Sequence, residues 1–278
     1  MVFLIQNTQN RDATAMQIKL DELVRAVHGA HNAVVSLEDA EEDELTAIKK
    51  GYDQIAEEAR GEEGAGGDDT AALQKAIDKV QETTRQGIVL LAPGKYQIND
   101  TIYIWPGIRL IGYGTERPKI ILPANTPGFG DASQEKQMFF FAGRRPRNPS
   151  ADKNSIPDAN PGTFYSALAN MDIEIEDGNP GAVGVRARYA QHCFLAHMDF
   201  HLGDALAGIH EGGNVVEDVH FFGGAHAIWT SKPSPGWHFT LIDCSFEGQR
   251  KSAIFEHEAG LTLIRPQFKN VPTAVEIE

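Results

Sequence analysis

Met171-Asp-Ile-Glu-Ile175, Met198-Asp-Phe-His-Leu202, Glu217-Asp-Val-His-Phe221, Ile242-Asp-Cys-Ser-Phe246 and Ile264-Arg-Pro-Gln-Phe268 are five versions of one short phrase. Aligned, they bring Asp172, Asp199, Asp218, Asp243 and Arg265 into register, at steps of 27, 19, 25 and 22 residues. A second apolar run recurs in parallel at Val185, Ile209, Ile228, Ile254 and Val275. Constant strands with variable spacing mean that loops absorb the differences, as in a stacked solenoid. Two strands per turn, without a Leu/Asn repeat signature, predict a mainly β protein: a right-handed, single-stranded parallel β-helix. A β-sandwich is the open alternative, although it has no need for one motif recurring in register.

Alternate residues of a strand face opposite sides. With Met198, Phe200 and Leu202 inward, His197, Asp199 and His201 face out, and the same parity turns out Asp172, Glu174, Asp218, His220, Asp243, Ser245 and Glu247. Stacked at about 4.8 Å per coil, these predict one column of Asp172, Asp199, Asp218 and Asp243. A second column would hold Glu174, His201, His220 and Ser245. Carboxylates in neighbouring coils push their pKa values apart, so that one stays protonated as an acid. Glycoside hydrolysis needs such a pair. Asp199, Asp218 and Asp243 are therefore the candidate acid/base groups, with His201 and His220 orienting them. The opposing reading is a solvated or turn-bonded Asp ladder.

Eight of the ten histidines fall within residues 192–257. No His-Glu-x-x-His or Cys-x-x-Cys spacing accompanies them, so no metal site is assigned. Calcium on stacked Asp is the one cation the pattern admits. On the second strand, His210, Trp229 and Phe255 are expected to face out as a platform for sugar rings. Candidate substrate contacts are His210, Trp229, Lys232, Trp237, Glu247 and Arg250, with Lys251 beside them. Residues 144–162 read as a long Pro/Asn-rich loop whose Arg144, Arg145 and Arg147 suit an acidic glycan.

The rest of the composition bounds these readings. The chain has 278 residues, 41% apolar and 23% charged, with a net charge of −14, which disfavours nucleic acid and anionic membranes as partners. No apolar run approaches the ~20 residues of a membrane helix. Met-Val-Phe-Leu-Ile at residues 1–5 is too short for a signal-peptide core, so the compartment stays open. Cys193 and Cys244 read as buried free thiols. Residues 1–67 carry 14 acidic and 6 basic side chains, and end in the glycine-rich run Arg60-Gly-Glu-Glu-Gly-Ala-Gly-Gly67. Met16, Leu20, Leu23, Val24 and Val27 make one helical stripe, and Leu45, Ile48, Tyr52 and Ile55 another. Three parts follow: an α-helical segment 1–62, a linker 63–68, and a β-helix over 69–278. The β-helix opens with a helix capped at Asp69 or Thr70, whose Leu73, Ala76, Ile77 and Val80 share an apolar face.

Phe3-Leu-Ile-Gln-Asn-Thr-Gln-Asn-Arg-Asp12 and Lys19-Leu-Asp-Glu-Leu-Val-Arg25 resemble the soluble C-terminal segment of the low-affinity iron permease family. That resemblance covers residues 2–60 and implies a cytoplasmic tail, without the family's membrane helices. Asp68-Asp-Thr-Ala-Ala-Leu-Gln-Lys-Ala-Ile-Asp78, Ala92-Pro-Gly-Lys-Tyr96 and Gly107-Ile-Arg-Leu-Ile-Gly-Tyr-Gly114 resemble the pectate-lyase superfamily over residues 66–278. The similarity is to the branch related to glycoside hydrolase families 28 and 55. It implies a pectin-lyase-like fold, a polysaccharide substrate and export. The polygalacturonase set of Asn-x-Asp, Asp-Asp, Gly-His-Gly and Arg-x-Lys is absent, so no catalytic residue transfers by motif. The phrase Ala274-Val-Glu-Ile-Glu278 stops inside a repeat, which predicts a truncated or partner-covered end. Polysaccharide hydrolysis is the leading expectation, with a lyase as runner-up. A non-catalytic glycan-binding or spike-like homo-oligomer, and a permease tail with a passenger β-helix, are the alternatives.

Overall fold

A computed structural model describes residues 67–146, 156–159, 162–232 and 238–278. They belong to the second of the chain's two units, Gly66–Glu278. The helical segment expected over residues 1–62 lies outside the described residues, as do Arg147 and Trp237.

The described chain is a parallel solenoid of seven coils behind one helix. Helix α1 (Thr70–Thr84) comes first. Coil 1 holds β1 (Gly87–Leu91), β2 (Lys95–Gln97) and β3 (Ile102–Ile104). Coil 2 holds β4 (Ile108–Gly112), β5 (Lys119–Leu122) and β6 (Lys136–Phe141). Coils 3 to 5 are long-stranded: β7 (Ala167–Ile175) and β8 (Ala182–Arg186), β9 (Phe194–His201) and β10 (Ala207–His210), β11 (Asn214–Phe222) and β12 (His226–Ser231). Coil 6 holds β13 (His238–Ile242), β14 (Ser245–Glu247) and β15 (Ser252–His257). Coil 7 holds β16 (Gly260–Ile264), β17 (Gln267–Lys269) and β18 (Thr273–Ile277). One sheet runs β1-β4-β7-β9-β11-β13-β16, with β2, β5, β14 and β17 joined to it; the other runs β3-β6-β8-β10-β12-β15-β18.

The second-strand repeat is in register as read: Val185, Ile209, Ile228, Ile254 and Val275 are successive partners. The inner face of the first sheet stacks Phe200, Phe221, Phe246 and Phe268 at ring separations of 5.0, 5.4 and 5.0 Å. Such a ladder arises because equivalent side chains of adjacent coils lie one strand spacing apart, which is the distance of an offset aromatic pair. Helix α1 inserts Leu73 and Ile77 into the same core. Its first turn is satisfied by Asp68, whose Oδ1 accepts from the Thr70 amide at 3.0 Å. Asp69 is the N-cap by position, but its carboxylate accepts from the Gln97 amide at 2.8 Å and so ties the helix to coil 1. Cys193 and Cys244 are buried free thiols, and burial pushes both up to about 11.

Each long strand of the first sheet is bent at one place. Asn170, His197, Asp218, Asp243 and Arg265 all have φ between 52° and 55°. They occupy equivalent positions, because the pairs on either side (Ala169–Ala196–Glu217–Ile242–Ile264, then Asp172–Asp199–His220–Ser245–Gln267) run in register. A left-handed residue repeated in five coils forms a corner along the solenoid. Asn, Asp and His are the non-glycine residues that tolerate this conformation best. At the same level in coil 2, Gly112 lies so close to Asn170 that an added Cβ would fall 2.0 Å from its carbonyl oxygen.

Candidate functional site

The corner decides where the polar side chains go. The outward column is Asp172, Asp199, His220, Ser245 and Gln267. The expected column of four aspartates is thus corrected: Asp218 and Asp243 stand two residues earlier, on the corner, beside His197. Likewise the second column is Glu174, His201, Phe222, Glu247 and Lys269, and not one containing His220 and Ser245. The slip is an even number of residues, so every one of these side chains keeps the outward direction that strand parity assigned.

Three polar groupings result. Arg117, in the loop between β4 and β5, lies 2.9 Å from Asp172 Oδ1 through Nε and 2.7 Å from Asp199 Oδ2 through a terminal nitrogen. Asp172 is buried; desolvation, reinforced by the charge of Asp199, raises its pKa against the opposing pull of Arg117. Next to this pair, Asp218 sits between two imidazoles, with His197 Nδ1 at 2.8 Å and His220 Nε2 at 3.3 Å. The hydrogen bond from His197 holds its carboxyl below the usual range. On its other nitrogen, His220 Nδ1 meets Ser245 Oγ at 2.8 Å. Farther along the corner Asp243 is taken up by Arg265, both contacts at 2.6 Å. The Asp stack expected for calcium is broken up: Asp172 and Asp199 share one column, spanned by a guanidinium, while Asp218 and Asp243 share the corner and are engaged by imidazoles and by Arg265. Among the described residues, no group of three or more His, Cys, Asp or Glu is arranged to hold a metal.

A groove of about 920 Å³ runs beside these groups over the outer face of β7, β9, β11 and β13. It is lined by Arg109, Tyr165, His192, His197, Glu217 and His238 among others. Tyr165 and His192 stack at 5.1 Å along it. His197 belongs to both the groove and the Asp218 cluster. His201 is exposed and stacked at 4.9 Å on Phe222.

The second-sheet platform is mostly closed. His210 pairs in register with Trp229, and Trp229 with Phe255, as expected, yet His210 is only 6% exposed. Its Nδ1 lies 2.9 Å from the Arg186 guanidinium and 2.8 Å from the Glu135 carboxylate, and Arg186 in turn grips Asp158. The expected sugar contact is thus an internal one. Arg250 donates to the carbonyls of Gly203, Asp204 and Ala205, which binds it to coil 4, two coils back. Arg145 is held by Asp78 and Glu82 of α1. Glu247 pairs with Lys269 at 2.7 Å and Lys232 with Glu258 at 3.5 Å, both on the surface. Trp229 remains half-buried beside His226, Lys251 and Phe255. The residue that sequence reasoning passed over is Arg117. Its signal was weak: Glu-Arg-Pro in a loop, with proline forcing an extended approach to β5.

Residues 60–276 match the family model described as "Rhamnogalacturonase A/epimerase, pectate lyase-like". The chain belongs to that family. As a member of the rhamnogalacturonase A/epimerase, pectate lyase-like family, it is a pectate-lyase-like β-helix, the resemblance that its sequence carried. Residues 1–72 match the low affinity iron permease family model, so the second resemblance stands as well. No curated protein matches the chain. Among solved structures, the A-module of the mannuronan C-5 epimerase AlgE6 of Azotobacter vinelandii is 13% identical, with a TM-score of 0.46. The match covers 75% of this chain and 54% of that one, so the chain spans about half the module's length. A candidate glycosyl hydrolase of Parabacteroides merdae is 9% identical over 75% of this chain and 89% of its own, with a TM-score of 0.33. The surface protein and adhesin PfbA of Streptococcus pneumoniae is 12% identical over 77% and 96%, with a TM-score of 0.20. None of the described helices is long and apolar enough to cross a membrane.

Proposed function

We propose that this β-helix acts on a polysaccharide and hydrolyses a glycosidic bond, with Asp172 and Asp199 as the carboxylate pair. One observation carries the reading. Two aspartates of adjacent coils share one guanidinium, and burial raises the pKa of the inner one. Asp172 would hold the proton given to the leaving oxygen, and Asp199 would act in the ionised form. Adjacent strands lie about 4.8 Å apart, near the ~5–5.5 Å separation of a pair that retains configuration. His201, exposed in the coil of Asp199, serves as a contact for a sugar ring. Membership of a family named for a rhamnogalacturonase and an epimerase supports the carbohydrate-directed part.

The test is release of reducing ends from a panel of neutral and uronate polysaccharides by the full chain, and by D172N and D199N. Loss in both variants, with one anomer retained by NMR, is the expected outcome. Full activity in either variant removes the pair, and an unsaturated product absorbing in the ultraviolet turns the assignment to a lyase. Tight binding with no turnover by any protein indicates the glycan-binding module instead.

A further inference from the structure

The outward column contains a second arrangement that glycosidic cleavage does not use. Ser245 Oγ, His220 and Asp218 form an unbroken line: Oγ to Nδ1 at 2.8 Å, then Nε2 to carboxylate at 3.3 Å. Asp218 is itself fixed by His197 at 2.8 Å. All three members are solvent-accessible, and they come from two adjacent coils, where strand pairing sets their spacing. A nucleophile bonded to a base, and that base oriented by a carboxylate, is the recognisable geometry of an activated hydroxyl on any fold. The ring nitrogens are exchanged relative to the serine-protease arrangement: with the proton on Nε2, facing Asp218, the Nδ1 lone pair accepts from the serine hydroxyl. Gln267 is the register partner of Ser245 in the next coil, so a residue with a side-chain amide neighbours the serine.

We propose that Ser245, His220 and Asp218 constitute an esterase site that removes small acyl groups from hydroxyl esters. In the first step Ser245 Oγ attacks the ester carbonyl and its proton passes to His220 Nδ1. The C–O bond to the alcohol then breaks, and the departing alkoxide takes that proton back, leaving acyl-Ser245. Water attacks the acyl-enzyme by the same route, giving the free acid and restoring the serine. No oxidant, metal or co-reactant enters the balance. That the natural alcohol is a sugar hydroxyl rests on the polysaccharide reading above, whereas the site's chemistry does not.

The experiment treats the full chain with p-nitrophenyl acetate and, separately, with phenylmethylsulfonyl fluoride followed by intact-mass and peptide mapping. The expected result is saturable hydrolysis, one sulfonyl adduct located on Ser245, and loss of both in S245A. H220Q should slow turnover on the order of 10²-fold, the contribution of a positioned general base, and should also abolish the adduct. An unlabelled Ser245, or hydrolysis unchanged in S245A, overturns the proposal. Because labelling is read on the unaltered protein, a poorly folding variant cannot mask the answer. Neither probe contains a glycosidic bond, so failure here and failure of the glycosidase reading are separate outcomes.

Discussion

His220 and His210 occupy equivalent kinds of position, each facing outward from a parallel sheet with an acidic group and a neighbouring coil beside it, yet their surroundings differ in kind. His210 is sealed between Arg186, Glu135 and Trp229, while His220 keeps a third of its surface (35%) and a serine partner. The difference lies in the loops. The segments before β6 and after it deliver Glu135 and Asp158 over the second sheet. Beside the aspartates of the first sheet, the described residues supply a short arm bearing Arg117. Side-chain chemistry is thus shared by both faces, and what separates a structural network from an open one is the reach of neighbouring loops.

The sharpest way to break this comparison is R186M. Removing the guanidinium leaves Glu135 and Asp158 without their cation in a mostly buried setting, and such losses amount to about 3–5 kcal/mol. Urea unfolding should show this, and a loss below ~1 kcal/mol would mean that the second face is no more closed than the first. Next in size, D199N should reduce glycan cleavage on the order of 10²-fold or more with little change in unfolding. Equal damage to stability would make the first face structural too.

Two aspartates on the first face should respond to pH with opposite signs. The pKa of Asp218 is lowered in the fold, so its contribution is present above the ordinary 3.8 and fades as pH falls through the lower folded value. Solvent screening of this half-exposed group limits the effect to about 0.2–1 kcal/mol. The pKa of Asp172 is raised, so its contribution is present below 3.8 and is lost as pH rises through the higher folded value. Unfolding of D218N and D172N against pH should therefore diverge from the unaltered protein in opposite directions, and parallel curves would contradict the assigned environments. Smallest of all is R265Q. Its pair with Asp243 is fully exposed, and no measurable change in melting temperature is expected.

Much of this molecule was legible from its residues because a solenoid writes its contacts as a period. Val185, Ile209, Ile228, Ile254 and Val275 could be stacked by eye, and Leu73 and Ile77 announced the capping helix. Alignment of the Asp phrases differs from the observed register by two residues because Met-Asp and Glu-Asp look alike. Only the position of the left-handed corner shows that Asp218 belongs with His197 and not with Asp199. Direction survived the slip, since parity is insensitive to an even shift. The partners of His210, Arg250 and Arg145 were hidden for a different reason. They come from Glu135, from the carbonyls of residues 203–205, and from α1, all distant in sequence and outside the aligned phrases.

The seven-coil stack also bears on how the protein comes apart. Each coil packs chiefly on its neighbours, so opening of these seven coils proceeds from the outer ones inward, and local stability rises toward the middle. Asp172, Asp199 and His220 lie on the third, fourth and fifth of the seven coils. In amide exchange these coils should be the slowest to trade their protons, and the chemistry is housed in the segment that frays last.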